Sequence, residues 1–232
     1  MIRLHVEAPL AAGATVEASA GQAHYLGGVM RRNVGDPVRL FNGRDGEWAC
    51  RIAALSRGKA VFEAETLVRP QAEEADLWLA FAVLKRDTTD LVVQKACELG
   101  VSALLPVFTE RTNAGRVNME RLHAIAVEAA EQSERLTVPV LFPARPLHEV
   151  LASWPEERAL FVARERAEAP WLRAVSGPTG LLIGPEGGFG PRDEAVLERC
   201  PSVRTVSLGR RILRAETAAI VGLALLQASG CG

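Results

Sequence analysis

The chain has 232 residues, of which 48% are hydrophobic and 24% are charged, and its formal net charge at pH 7 is −1. This is enough apolar material for a folded core, so we expect one large domain, or a small domain followed by a medium one, and not a disordered chain. The net charge carries no basic excess, so composition alone does not indicate a nucleic-acid-binding protein.

The cysteines and the apolar runs argue against a disulfide framework, a metal site and a membrane span. Cys50, Cys97, Cys200 and Cys231 lie far apart, form no C-x-x-C pair and are joined by no histidines at metal-ligand spacing. The longest apolar run, residues 218–226, is far shorter than the roughly 20 residues that cross a bilayer. The first residues lack the apolar core of a signal peptide, so we expect a cytoplasmic protein with neither metal nor membrane contact.

Residues 1–70 have the pattern of a small β-domain. Short runs rich in β-branched and apolar residues are separated by turn pairs such as Asn42-Gly43, and we predict strands over 2–6, 38–41, 48–53 and 60–68. These strands predict a small β-barrel. The polar, proline-containing segment 69–74 is the best candidate for a linker to the next domain.

From residue 71 onward, strands and helices alternate. Buried-type strands are predicted at 77–83, 103–107, 138–142, 159–163, 180–183 and 203–208. One helix is predicted to begin at Asp87, which caps it, to bury Leu91, Val92 and Leu99, and to end at Gly100. Another is predicted to begin near Asn118. The alternation predicts an α/β domain with a mainly parallel sheet over 71–232.

Two glycine-bearing segments, 181–190 and 206–218, carry the strongest local signal. In each, an apolar run ends at a glycine and a helix-start signal follows, which predicts strand, tight loop and helix, with the two loops lining one pocket. The first loop lacks the Lys-Ser or Lys-Thr of a phosphate-binding P-loop and does not fit G-x-G-x-x-G. An adenosine ligand without phosphates fits better, although simple turns and core residues are the alternative interpretation.

Both segments closely resemble the knotted (SPOUT-type) S-adenosylmethionine-dependent RNA methyltransferases, and among them the bacterial enzymes that methylate N3 of a uridine in 16S ribosomal RNA. Short motifs similar to those of the family occur in the same order along nearly the whole chain, at 24–31, 35–36, 41–43, 85–87, 94–101, 106–111 and 128–135. The departures are mild, such as Met30 where the pattern usually has leucine. The resemblance implies a C-terminal trefoil knot, a PUA-like N-terminal barrel, a homodimer and the small ribosomal subunit as partner. Pattern alone predicts an unknotted sheet.

The resemblance also implies a set of site residues. The cofactor, S-adenosyl-L-methionine, is expected to contact Leu182, Gly184, Glu186, Gly187, Gly188, Leu208, Gly209, Ile212, Leu213 and Thr217. Contacts to RNA are expected from Arg31, Arg32, Arg111, Arg135, Arg210 and Arg211. Ordinary surface solvation, ion pairing or helix capping remain the alternatives for the arginines and for Thr217.

Glu186 and Arg214 are the candidate catalytic residues. Uracil N3 must lose a proton before it accepts a methyl group, so a base or a group that stabilises the anion is needed. Glu186 is the candidate base and Arg214 the candidate stabiliser of negative charge on the uracil oxygens. Two other functions stay open: a knotted methyltransferase acting on another RNA, such as a transfer-RNA ribose 2′-hydroxyl, and a non-catalytic ribosome-assembly factor that binds RNA.

Overall fold

The computed structural model describes residues 1–112, 115–165 and 168–228. The chain forms two compact units: Met1–Glu73 together with Ala130–Val138, and Glu74–Ala129 together with Pro139–Gly232. The short segment 130–138 thus joins the first unit, although the predicted division into 1–70 and 71–232 assigns it to the second domain. The boundary after residue 70 stays a prediction.

The first unit is built on a five-stranded sheet in the order β1-β3-β4-β5-β2. Strands β1 and β3 pair in parallel, and the other pairs are antiparallel. The four predicted strands are confirmed, and β2 is a further strand that the sequence analysis did not predict. Closure of this sheet into a barrel stays a prediction. The elements are β1 Arg3–His5, β2 Thr15–Glu17, α1 Ala20–His24, a π-helical turn Tyr25–Val29, β3 Pro37–Phe41, β4 Glu47–Ser56 and β5 Lys59–Arg69.

Arg3, which is paired with the buried carboxylate of Glu47, joins segment 130–138 to the sheet of the first unit. Glu47 accepts hydrogen bonds from Arg3 Nε at 2.5 Å and from Arg69 Nε at 2.9 Å. The Arg3 guanidinium also donates to the backbone carbonyls of Ala130, Glu131 and Arg135 at 2.7–3.0 Å. Because Arg3 and Glu47 side chains are only 7% exposed, each charge depends on the other for compensation.

The second unit is an α/β domain around a parallel sheet in the order β12-β10-β11-β6-β7-β8, with β9 also pairing with β7. All its strand pairs are parallel, which confirms the prediction. The knot stays a prediction. The elements are β6 Leu77–Ala82, α2 Arg86–Glu98, β7 Ala103–Phe108, α3 Met119–Gln132, β8 Val140–Leu141, β9 Arg145–Pro146, α4 Leu147–Ala152, β10 Ala159–Ala163, β11 Thr179–Ile183, α5 Pro191–Arg199, β12 Val203–Val206 and α6 Ala215–Gln227.

The predicted details of helix α2 were partly wrong. It begins one residue before Asp87, and its N-cap residue Lys85 makes no side-chain capping bond. Leu91 is exposed, while Val92 is buried as predicted and Val93 joins it on the inner face. Gly100 follows the helix with φ of 71°, as a left-handed helix end requires.

The strand-helix alternation predicts a helix between β10 and β11 that the described residues do not contain. Residues 164–165 and 168–178 include only turns, bends and an isolated bridge from Trp171 to Ser207. Helix α3 begins near Asn118 as predicted, and the Asn118 side chain accepts a hydrogen bond from the Arg121 N–H at 3.0 Å. None of the helices in the described ranges is long and apolar enough to cross a membrane.

Glu47 gives the stability of the first unit a dependence on pH. Burial by itself raises the pKa of Glu47, but hydrogen bonds from Arg3 and Arg69 outweigh it, so the net pKa lies below its ordinary value. A carboxylate with a lowered folded-state pKa stabilises the fold above its unfolded pKa. That contribution is lost as the pH falls through the folded pKa.

We therefore predict that Glu47→Gln lowers the free energy of unfolding by about 1.5–3 kcal/mol at pH 7, the usual worth of hydrogen bonds to charged groups. The same substitution should also make the free energy of unfolding fall less steeply as the pH is lowered, because the variant has no carboxylate to protonate at this position. Glu65→Gln is the matched control, because Glu65 pairs with Arg51 on the surface and such pairs contribute about 0–1 kcal/mol. Urea unfolding at pH 7 and pH 4 measures both variants, and equal effects of the two would contradict the prediction.

Candidate active site

The candidate site lies where three neighbouring parallel strands end. Ala163, the last residue of β10, pairs with Ile183 at the end of β11 and with Val206 at the end of β12. The segments that follow these strands therefore leave the same edge of the sheet, the usual position of ligand sites in open α/β sheets. They enclose a cavity of about 750 Å³.

The loop after β11 forms one wall and depends on its glycines. The Gly188 N–H donates to the Pro185 carbonyl at 2.9 Å, and Gly188 has φ of 68°. A Cβ at Gly184 would lie 3.1 Å from the Phe189 ring, so a larger residue would displace that ring. This tight turn leaves the Glu186 side chain exposed and lining the cavity.

Two acidic residues fasten this loop to the end of β7. Asp193, near the start of α5 and only 6% exposed, accepts hydrogen bonds from the backbone N–H groups of Gly190 and Glu110, each at 3.0 Å. Glu110 in return accepts from the backbone N–H of Arg192 at 3.0 Å. These reciprocal bonds fix where the loop ends and the helix begins.

Arg111 fastens the same loop from its outer side. Its Nη1 donates to the Gly187 carbonyl at 2.6 Å. Sequence reasoning assigns Arg111 to RNA contact. In the structure, its guanidinium holds the loop that carries Glu186, and a contact with RNA stays a prediction.

The loop after β12 forms the second wall and carries most of the positive charge. The Gly209 N–H donates to Ser207 Oγ at 3.2 Å, and Gly209 has φ of 125°, a conformation that side-chain-bearing residues rarely adopt. Arg214 occupies the N-cap position of α6 with extended backbone and makes no capping bond. Within the described residues, Arg210, Arg211 and Arg214 form no ion pair, and all three line the cavity.

Most of the predicted cofactor residues come together around the cavity. Gly184, Glu186, Gly188, Leu208, Gly209, Ile212 and Leu213 line it, as do both catalytic candidates. Leu182 is fully buried in the core, Gly187 presents its carbonyl to Arg111, and Thr217 is exposed outside the lining. Lining the cavity is what the structure shows for the first seven, and cofactor contacts by all ten residues stay predictions.

Three predicted RNA-binding arginines belong to the first unit. Arg31 is exposed with φ of 51°, and Arg32 pairs with Asp36 at 3.9 Å. Arg135 is only 8% exposed, and its carbonyl accepts a hydrogen bond from Arg3. Its buried side chain is therefore part of the packing of this unit, and a role in RNA binding stays a prediction.

A third wall, which sequence reasoning missed, follows β10. It includes Arg164, which pairs with Glu194 at 2.8 Å, and Trp171, which is 58% exposed. The apolar run of β10 was visible in the sequence, but its position between β11 and β12 was not. Among the described residues, no cluster of His, Cys, Asp and Glu is arranged to hold a metal ion.

Comparisons with known proteins agree with this architecture. Residues 71–227 match the model of the RNA methyltransferase domain, and residues 19–65 match that of the RNA methyltransferase PUA domain. The chain is thus an RNA methyltransferase with a PUA domain.

Individual relatives show which family of RNA methyltransferases the chain belongs to. Ribosomal RNA small subunit methyltransferase E of Rickettsia conorii is 33% identical over 98% of this chain and 96% of its own length. The Synechocystis protein of that name is 35% identical over 93% of this chain and 73% of its own length. The crystal structure of the Neisseria gonorrhoeae protein of that name, bound to S-adenosyl methionine, superposes with a TM-score of 0.90 at 30% identity, covering 98% of this chain and 97% of that one. The chain belongs to the ribosomal RNA small subunit methyltransferase E family, as the resemblance implies.

The hydrogen bonds to Asp193 that hold the loop after β11 can be tested directly. Asp193→Ala leaves the amides of Gly190 and Glu110 without their acceptor, and we expect it to lower the free energy of unfolding by about 1–3 kcal/mol. It should also speed hydrogen exchange within residues 184–190. Glu198→Ala, on the exposed side of the same helix, is the control and should stay within about 0.5 kcal/mol of the wild type. Equal exchange in the two variants would show that Asp193 does not hold the loop.

Proposed function

We propose that this protein transfers the methyl group of S-adenosylmethionine to N3 of a uridine in 16S ribosomal RNA of the small subunit. The observation that carries the proposal is the cavity at the ends of β10, β11 and β12, into which both Glu186 and Arg214 are brought. The family supports the substrate class, and the S-adenosyl methionine in the structure from Neisseria gonorrhoeae supports the donor.

The residues of the cavity fit an adenosine-based ligand. A Cβ at Gly188 would meet no atom within 4 Å, so a ligand can approach the backbone of this wall closely. Ile212 is 55% exposed on the other wall and offers an apolar surface to a ring, together with Leu208 and Leu213. We propose that these backbone groups and side chains hold the donor, which supplies an electrophilic methyl group when bound.

The chain's own residues would prepare the acceptor nitrogen. In the proposed reaction the N3 proton passes to the Glu186 carboxylate, a bond forms between N3 and the methyl carbon, and the carbon–sulfur bond of the donor breaks. Arg214 stabilises the negative charge that deprotonation places on the uracil oxygens. Such preorganised charge and the holding of both reactants in line supply most of the acceleration in reactions of this kind.

Arg210 and Arg211 are proposed to bind RNA phosphates beside the cavity. Both are exposed and, within the described part of the chain, form no ion pair with a carboxylate. Arg31 and Arg32 in the first unit are proposed as further contacts, supported by the match to a PUA domain over residues 19–65. A ribosomal RNA substrate also supports the proposed cytoplasmic location.

The proposal includes a homodimer. Helix α6 buries Ala219, Leu223 and Leu226 within its own unit, while Ile220, Val221 and Leu225 are only half-buried and offer an apolar surface to a second copy. Analytical ultracentrifugation at micromolar concentration tests this point, and a monomer would overturn it.

The reaction is tested by methyl transfer to small ribosomal subunits that lack their native methylations. We expect N3-methyluridine, identified by mass spectrometry after digestion to nucleosides. Arg214→Ala should lower kcat by about 100- to 1,000-fold, because it removes a group that stabilises developing charge. Glu186→Gln should lower it by about 100- to 10,000-fold if the carboxylate takes the proton. The controls are Glu198→Gln and Arg199→Ala, two exposed positions outside the cavity lining.

Each alternative has its own outcome in this experiment. A methylated ribose or another base would keep the donor site and overturn the substrate. Donor binding without transfer to any ribosomal particle would favour the assembly factor. Turnover of Glu186→Gln that matches the wild type across pH would remove Glu186 as the base.

The phosphate contacts are tested by the salt dependence of RNA binding. Replacing Arg210 and Arg211 together by Ala should reduce the slope of log affinity against log salt by about 1–2, since each lost phosphate contact changes it by about 1. Arg199→Ala should leave the slope unchanged, because Arg199 lies at the far end of α5, outside the cavity lining. Weaker binding with an unchanged slope would contradict a phosphate role.

A further inference from the structure

Trp171 is an exposed aromatic side chain on the wall of the cavity that the sequence did not predict. Its side chain is 58% exposed, whereas Trp154 is 7% exposed and Trp48 and Trp78 are partly buried. Among the described residues, Trp171 and Ile212 are the large hydrophobic side chains that are both exposed and part of the cavity lining. The site therefore presents an exposed aromatic and an exposed aliphatic side chain to whatever enters it.

The backbone around Trp171 is held firmly although its side chain is open. The Ser207 N–H donates to the Pro170 carbonyl at 2.9 Å, and the Leu172 N–H donates to the Ser207 carbonyl at 3.0 Å. Leu172 is 3% exposed and anchors the segment in the core. A rigid aromatic side chain of this kind loses little conformational entropy when a ligand packs on it.

The indole also lies against the arginine-bearing loop. A Cβ at Gly209 would lie 3.6 Å from Cη2 of Trp171, so the ring packs over the backbone of this glycine. Arg210 and Arg211 follow directly in the chain and line the same cavity. In the part of the chain that the structure describes, neither arginine forms an ion pair with a carboxylate. An aromatic face beside such cations is an arrangement with which proteins hold single-stranded nucleic acids, by stacking on the base and binding the phosphate.

We propose that the indole of Trp171 stacks on a nucleobase at the mouth of the cavity. The shared chemistry is a planar heteroaromatic ring, which has two sources at this site: the adenine of the donor, or a base of the acceptor RNA strand. The neighbouring arginines favour the RNA base. The inference rests on the proposed function, because it takes the cavity to be the place where donor and RNA meet.

The test compares three replacements at one position. Trp171→Phe keeps an aromatic face, Trp171→Leu keeps an apolar side chain without one, and Trp171→Ala removes both. Binding is measured by calorimetry with S-adenosylhomocysteine in one arm, and with a single-stranded oligouridine and with undermethylated small ribosomal subunits in the other. Unfolding curves of all variants are compared with that of the wild type.

We expect Trp171→Ala and Trp171→Leu to weaken binding by about 5- to 150-fold in one arm, which corresponds to about 1–3 kcal/mol of stacking per base. Trp171→Phe should retain most of the affinity. If only the affinity for S-adenosylhomocysteine falls, the nucleobase that stacks on Trp171 is the adenine of the donor. If only the affinity for RNA falls, it is a base of the acceptor strand. Wild-type affinity of Trp171→Leu in both arms, or of Trp171→Ala in both arms, would overturn stacking.

Methyl transfer by the wild-type protein, measured on the same preparation, separates this inference from the proposed function. If the wild type transfers methyl groups but no variant at Trp171 binds more weakly, the stacking is wrong and the function stands. If the wild type transfers nothing but the oligouridine binds in a Trp171-dependent way, the function is wrong and the stacking stands. Should the Ala variant fail to fold, the contrast between Phe and Leu decides the question.

Discussion

The in-register pairing of β10 with both β11 and β12 is the constraint on which the site depends. It brings the ends of three strands, Ala163, Ile183 and Val206, side by side, so that three separate loops leave one edge of the sheet. Close packing on both faces of the sheet accompanies this alignment, since the successive residues Gly180 and Leu181 of β11 point to opposite faces. A Cβ at Gly180 would lie 2.7 Å from Cη2 of the buried Trp154, and one at Gly222 in α6 would lie 2.6 Å from Leu181 Cδ2. These glycines therefore set how closely side chains and helix approach the strands.

The two main walls are held by different means, which suits different tasks. The loop after β11 is fixed by charged groups outside it: Asp193 accepts from the Gly190 amide, and Arg111 donates to the Gly187 carbonyl. Glu110 holds the adjoining first turn of α5 through the Arg192 amide, and the Glu186 side chain stays exposed. The loop after β12 is fixed by its own Ser207 and by the bridge to the Trp171 segment. Within the described ranges, its arginines form no ion pair with a carboxylate, as the proposed contact with RNA requires. For the proposed function, a rigid wall on one side and a cationic wall on the other suit a transfer between a small donor and a polyanion.

Sequence reasoning succeeded where the signal is local. Apolar runs ended by Gly184 and Gly209 predicted both walls, because a glycine at the end of a strand marks a tight turn or a close approach within a few residues. It failed where the answer depends on distant contacts. Strand order is set by tertiary packing, so the wall with Trp171 had no sequence signal, and the burial of Arg135 follows from its place beside Arg3. Asp87 was wrong as a cap because helix α2 begins one residue earlier, at Arg86.

The location of Arg214 explains how a chain of net charge −1 can favour an anion at one point. Arg214 is the N-cap residue of α6, a helix of 13 residues whose first-turn N–H groups and dipole present positive potential at this end. Its guanidinium adds a full charge to that end and, among the described residues, pairs with no carboxylate. Two independent sources of positive potential therefore meet at the cavity wall. In the proposed reaction they would stabilise a deprotonated uracil whichever group receives the proton, so the electrostatic part of the proposed mechanism does not depend on Glu186 acting as the base.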